Sequence, residues 1–184
     1  MSDPNFRELS DEPVSNTALS QTAEDAFVRR ARIEDLPDIA KIHRLAFMEA
    51  MPRMPVRHTP MEDLNFYSTA VFPHSDIWLA ELSDMVVGFI AFRPGWVDQL
   101  YVHPACQRRG LGTRLLGVAQ IACPALRLWT FQCNPRARRF YEKSGFRSER
   151  ETDGAGNEEK QPDILFYWER GSAAPGTPPS IPEP

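Results

Sequence analysis

Gln107-Arg108-Arg109-Gly110-Leu111-Gly112-Thr113 is the segment of this sequence whose residue types define a chemistry most narrowly. Two glycines one residue apart let a backbone approach an anion closely, and the free N–H groups that open a following helix point at that anion. Gln107, Arg108 and Arg109 add side-chain donors, and Thr113 adds a hydroxyl in the first helical turn. Phosphate is the natural guest of such a turn. A dinucleotide fingerprint needs a third glycine where Leu115 stands, and a P-loop needs a lysine where Gly112 stands. Taken alone, the segment can also be read as an ordinary Gly-rich loop.

Two further residues could move protons. Asp98, within Trp96-Val97-Asp98-Gln99-Leu100, is a carboxylate among apolar neighbours, which is costly unless it has a task or a partner. It is a candidate general base, directly or through a water, or equally a hydrogen-bonded strand acid at a bulge. Glu81, His103 and His43 are substitutes for that role. Tyr141 shares the apolar side of a short helical pattern with Phe140, and periodicity alone makes it a core aromatic. Cys106, Cys123 and Cys133 form no C-x-x-C pair and have no histidine at metal-ligand spacing, so no metal site and no disulfide framework is expected.

The elements that must position these residues alternate in type. Phe27 to Arg32 reads as a strand, and Leu36, Ile39, Ala40, His43, Ala46 and Phe47 recur at helical spacing behind Pro37. Thr59-Pro60-Met61-Glu62 has the form of a capping box that opens a second helix. Asp76 to Leu82 and Met85 to Phe92 form a hairpin about Ser83-Asp84, and Trp96 to Val102 is a third strand leading into the glycine turn. A helix through Leu115, Leu116, Ala119 and Ala122 runs until Pro124, followed by a strand from Leu126 to Cys133. Asn134-Pro135 opens a short helix that Gly145 ends, and Phe146 to Glu151 and Ile164 to Glu169 make a last hairpin. The order β-α-α-β-β-β-α-β-α-β-β implies an α/β (α+β) fold, a mixed sheet covered by helices.

The whole chain of 184 residues suits one domain with tails. Residues 1–25 are polar and acidic without periodicity and are expected to be a disordered lead-in. Residues 26–170 carry the domain, and residues 171–184, with five prolines, form an extended tail. A net charge of -4 argues against a nucleic-acid binder, while the arginines of residues 108–139 form a local basic patch suited to a small polyanion. No apolar run reaches the roughly 18 residues of a membrane span, no signal peptide stands at the start, and a reducing, cytoplasmic compartment is expected.

Leu100-Tyr101-Val102-His103-Pro104 running into Q-R-R-G-L-G, followed by N-P-R-A-R-R-F-Y-E-K-S-G-F, resembles the GNAT superfamily of N-acetyltransferases. The resemblance covers roughly residues 27–169 and is strongest over 98–146. It implies a mostly antiparallel sheet whose two central parallel strands splay apart to hold a pantetheine arm, with helices on both faces. Backbone groups of Leu100, Tyr101 and Val102 would pair with the pantetheine amides. The N–H groups from Arg108 through Arg109, Gly110, Leu111 and Gly112 to Thr113 would hold the pyrophosphate, with Gln107 completing the Q-x-x-G-x-G pattern. Asn134 would hold the cofactor arm, Ala137 and Phe140 would flank it, and Tyr141 would lie near the thioester sulfur as the acid. Arg136, Arg138 and Arg139 could reach the 3′-phosphate of coenzyme A, although arginines that open a helix are commonly solvated.

Transfer to an amine needs a neutral nucleophile, yet a lysine-type amine has a pKa of about 10.4. A base or a desolvating pocket must remove that proton. The resemblance accordingly implies an acetyltransferase using acetyl-CoA as co-substrate and no metal, with a small-molecule or peptide amine as acceptor. The resemblance is also compatible with a homodimer. A non-catalytic acyl-coenzyme A sensor and a toxin-like transferase acting on aminoacyl-tRNA are the competing functions. Acceptor choice is expected to lie in residues 49–60 and in the turn between the last two strands, because loops around a fixed cleft are free to vary.

Overall fold

The computed structural model of the chain describes residues 21–171. Of the expected tails at 1–25 and 171–184, residues 1–20 and 172–184 lie outside the described residues. Seven strands form one sheet in the order β1-β2-β3-β4-β5-β7-β6: β1 (Phe27–Arg30), β2 (Asp76–Leu82), β3 (Met85–Arg93), β4 (Trp96–Val102), β5 (Ala125–Phe131), β6 (Arg147–Thr152) and β7 (Asp163–Glu169). All neighbours are antiparallel except β4 and β5. Among the described residues four α-helices accompany them: α1 (Leu36–Ala50), α2 (Pro60–Phe66), which continues as a π-helical turn over Tyr67–Val71, α3 (Leu111–Ala122) and α4 (Pro135–Lys143). This is the mixed sheet that the alternation of elements implies.

Side chains alternate across the strands, so β2 and β3 each feed two cores. Ile77 and Leu79 of β2 and Phe89 and Ala91 of β3 pack with Leu36, Ile39 and Ile42 of α1 and with Tyr67. Ala80, Leu82 and Ile90 join Leu111, Leu115 and Leu116 of α3 in a second core that also takes Tyr141, Phe146 and Phe166. The two cores fix α1 and α3 on opposite faces of the sheet.

Local chemistry explains the boundaries. Ser83 and Asp84 both take positive φ, 48° and 61°, as a two-residue hairpin turn requires. The Thr59 hydroxyl accepts from the Glu62 N–H at 3.3 Å, and the Glu62 carboxylate accepts from the Thr59 N–H at 2.7 Å, which completes the capping box. The first strand stops at Arg30 rather than Arg32. There the Asp35 carboxylate accepts from the Arg32 N–H at 2.6 Å and from both terminal nitrogens of Arg29, bending the chain into a 3₁₀ turn.

Residues 21–26, assigned mostly to the lead-in by the sequence, have a defined place. The Ala23 N–H donates to the Arg109 carbonyl at 3.0 Å, and Arg109 donates to the Gln21 carbonyl at 3.3 Å. The Arg114 guanidinium donates to the carbonyls of Ala23 and Glu24. The segment thus braces the glycine turn from behind.

Candidate functional site

β4 and β5 share a single register pair, Trp96 with Arg127, supplemented by the Arg127 N–H donating to the Gly95 carbonyl at 2.8 Å. Beyond that pair the strands diverge. The β4 edge that faces β5 therefore carries backbone donors and acceptors without sheet partners, a ready template for an extended ligand. A cavity of about 670 Å³ occupies the gap, bounded by residues 97–101 of β4, 128–131 of β5 and part of the β6–β7 loop. A second cavity, about 520 Å³, runs from residues 100–102 past the glycine turn to α4. Leu100, Tyr101, Asn134, Ala137 and Tyr141 line both, so the two form one continuous cleft.

At the glycine turn, Gly110 takes φ 84° and caps α3, a conformation that costs other residues but is open to glycine. The N–H groups of residues 111–113 find no acceptor among the described residues, and the first intrahelical donor is Arg114, to the Gly110 carbonyl at 3.0 Å. Unpaired N–H groups at the positive end of a helix dipole, lining a cavity, fit a phosphate.

Of the thirteen residues assigned to the cofactor, all but Arg109 line the second cavity. Arg109 is directed elsewhere, to the carbonyls of Gln21 and Ala105. Gln107 is part of the scaffold: its amide donates to the Val102 carbonyl at 3.1 Å and its oxygen accepts from Arg136 at 2.9 Å. Arg136 also binds Glu49 at 2.8 Å, and Arg138 donates to the Gln132 carbonyl at 3.4 Å. Arg139, with Arg108 and Lys143, lines the cavity, which leaves these three cations for a second phosphate. The Asn134 oxygen accepts from the Ala137 N–H at 3.0 Å, capping α4.

Tyr141 is buried among Phe140, Phe146 and Phe166 and lines both cavities. Its position is both that of a core aromatic and that of a cleft residue. Burial first, and the neighbouring Tyr101 second, raise its pKa, so the hydroxyl stays protonated at neutral pH. Tyr101, expected to contribute only backbone, also places its phenol in the cleft. Its pKa is likewise raised by burial and then by the charge of Glu159.

Asp98 lines the first cavity and occupies a β-bulge, since Ala91 pairs with Gln99 and Phe92 with Val97. Its carboxylate accepts from Arg93 Nε at 3.1 Å and from the Ser75 hydroxyl at 3.3 Å. The bulge acid thus has structural partners. Glu81 accepts from Arg29 at 2.6 Å and does not line the cleft. The His103 Nδ1 accepts from the Ala105 N–H at 3.2 Å in the connection to the glycine turn. His43 packs against Tyr101 in a tilted arrangement with ring centroids 4.7 Å apart, and burial lowers its pKa to about 4.

Both loops expected to choose the acceptor reach the site. Met51 lines the first cavity, and so do Asp153, Gly156, Asn157 and Glu159 of the β6–β7 loop. His58 and Glu158 join these loops at 2.8 Å. Sequence reasoning missed Glu159, Arg150 and the Tyr101 phenol. Only the polar character of residues 153–162 hinted at the first of these. Among the described residues no group of three or more His, Cys, Asp or Glu could hold a metal ion, and no helix is long and apolar enough to cross a membrane.

Comparison with known proteins agrees with this geometry. The model of the acetyltransferase (GNAT) family matches residues 36–146. The chain is 28% identical over 136 residues to a protein described as "Probable N-acetyltransferase Rv2775" from Mycobacterium tuberculosis, covering 65% of this chain and 78% of that one. It is 30% identical over 101 residues to the peptidyl-lysine N-acetyltransferase YiaC of Escherichia coli, covering 54% and 67%. Among solved structures, the PaiA N-acetyltransferase of Thermoplasma acidophilum in complex with coenzyme A superposes with a TM-score of 0.62 at 20% identity, covering 78% of this chain and 98% of that one. That likeness shows the fold.

Proposed function

The chain belongs to the GNAT acetyltransferase family, and from that premise we propose that it moves an acetyl group from acetyl-CoA directly to a primary amine of a small molecule or peptide. The observation that carries this reading is the continuity of the cleft, from unpaired helix N–H groups at one end, along an unpaired strand edge, to Tyr141 and a carboxylate-lined cavity at the other. Coenzyme A has a pyrophosphate, two amides and a thiol in that order along its length. The coenzyme A complex of the Thermoplasma enzyme, which shares this fold, supports the same ligand here.

In this reading residues 111–113 hold the pyrophosphate through their N–H groups, and Arg108, Arg139 and Lys143 neutralise the 3′-phosphate. The free edge of β4 at residues 100–102 pairs with the pantetheine amides and polarises the thioester carbonyl. Asn134 and Ala137 bound the arm from the α4 side, with Phe140 beside them. Tyr141 serves the leaving sulfur. A thiol pKa is about 8.5, and the Tyr141 phenol stands above its ordinary value of about 10. Complete proton transfer from that phenol therefore runs uphill, and its contribution is a hydrogen bond to the developing thiolate. Asp98 remains the candidate base of β4, acting through its hydrogen-bonded carboxylate or a bridging water. The peptidyl-lysine activity named for the E. coli relative supports an amine of the lysine type.

A second reading, an acyl-coenzyme A sensor, draws on one observation, that Arg93 and Ser75 already engage Asp98. The test is thiol release from acetyl-CoA across a panel of primary amines. Turnover with at least one amine is expected, and Tyr141→Phe should lower kcat about 10- to 100-fold while coenzyme A binding measured by calorimetry is unchanged. Tight coenzyme A binding with no release for any amine selects the sensor.

A further inference from the structure

Glu159 lines the large cavity and also a smaller one of about 70 Å³ beside α1 and residues 55–58, so it stands where the two meet. Its neighbours in sequence hold the loop in place. Glu158 pairs with His58 at 2.8 Å, and Lys160 donates to the Ala155 carbonyl at 2.9 Å. The Asn157 amide donates to the Gln161 carbonyl at 2.7 Å and to Asp163 at 3.0 Å. Gly154 lies so close to Gln161 that an added Cβ would meet its carbonyl oxygen at 2.1 Å. The loop is thus tied at both ends, while the Glu159 carboxylate makes no hydrogen bond or ion pair among the described residues.

The remaining carboxylates of the large cavity are engaged. Asp98 accepts from Arg93 and Ser75, Asp153 from the Ala155 N–H at 3.0 Å, and Asp163 from Thr152 and Asn157. The cation in the lining, Arg150, sits over the Trp129 ring at 5.2 Å. Of the cations that line the smaller cavity with Glu159, Arg44 pairs with Asp63 and His58 with Glu158, and Arg57 makes no ion pair with Glu159 among the described residues. A half-buried carboxylate left without such a pair is stabilised by a cation supplied from outside. Phe47, Met51, Trp129 and Phe131 give the same cavity apolar walls.

The geometry points to Glu159 as the specificity-determining carboxylate of the acceptor site, receiving a primary ammonium carried on an apolar stem. This assignment rests on the acetyl-transfer reading of the cleft and adds to it the residue that selects the acceptor and the apolar stem that the acceptor carries. Glu159 differs from Asp98 in having its charge uncommitted, and it reaches the cleft from the β6–β7 loop, opposite β4.

The test uses the full chain saturated with coenzyme A and n-hexylamine as probe, with 1-hexanol as its uncharged counterpart. Hexylamine should raise the Tm of the wild-type protein and hexanol should not. Glu159→Gln should abolish the hexylamine shift while retaining the shift that coenzyme A itself produces. In thiol-release assays Glu159→Gln should raise the KM for hexylamine about 10- to 100-fold, as for a lost charge-assisted contact, with the KM for acetyl-CoA unchanged and partial recovery in Glu159→Asp. An absent amine shift in the wild-type protein, an equal shift by hexanol, or an undiminished amine shift in Glu159→Gln overturns the assignment. Failure of thiol release with every amine of the panel, with a Glu159-dependent amine shift still present, overturns acetyl transfer and leaves Glu159 as an ammonium site, so the two failures are distinguishable.

Discussion

His43 is an imidazole without room for a charge. It is packed against Tyr67 and Tyr101, its Nδ1 is buried with no hydrogen-bond partner, and burial holds its pKa at about 4 despite the nearby Asp63. In the unfolded chain the same group titrates near 6.5. Because the unfolded state takes up the proton first, stability from this group is intact above pH 6.5 and is lost as pH falls from 6.5 toward 4, by up to about 3 kcal/mol. His43→Phe should remove that part of the acid destabilisation, as denaturant unfolding at pH 7 and pH 4.5 will show; an unchanged pH slope would contradict the buried neutral state. As a general base such a histidine is too weak for an ammonium, which removes one of the substitutes considered from sequence. What the sequence revealed at this scale was side-chain type. It showed Asp98 as an isolated acid, but Arg93 and Ser75 become its partners only once the bulge and the β2–β3–β4 register exist. Glu159 was not legible for the same reason: which charges in a polar loop are used up is decided by contacts such as His58 with Glu158, 100 residues apart.

The elements were readable because each has a local signal, as with the capping box at Thr59 or the proline and asparagine that open α4. The bracing of the glycine turn had no such signal. Arg109 and Arg114 looked like part of a phosphate-binding patch, yet both donate to carbonyls of the segment just before β1. The two roles have different consequences. If the arginines act through the brace, a chain beginning at Ala26 should bind coenzyme A about tenfold more weakly, a loss of about 1.4 kcal/mol. Arg114→Ala should then add nothing further in that shortened chain. Calorimetric titration of the two single changes and their combination gives the answer, and additive losses would return Arg114 to direct phosphate contact.

For the molecule as a whole, the sheet consists of two well-bonded parts, β1-β2-β3-β4 and β5-β7-β6, joined by little more than Trp96 opposite Arg127 and one hydrogen bond from Arg127 to Gly95. Mechanically that joint is a hinge with its pin at one end, and every other rung of the ladder is left for a ligand to supply. An occupant that fills those rungs would turn the hinge into a continuous plate. Amide hydrogen exchange along residues 97–102 and 126–131 should accordingly slow on addition of coenzyme A, while β2 and β3, already bonded on both sides, change little. In the proposed reading the missing rungs lie along the line that coenzyme A would take, so rigidity itself becomes a readout of occupancy.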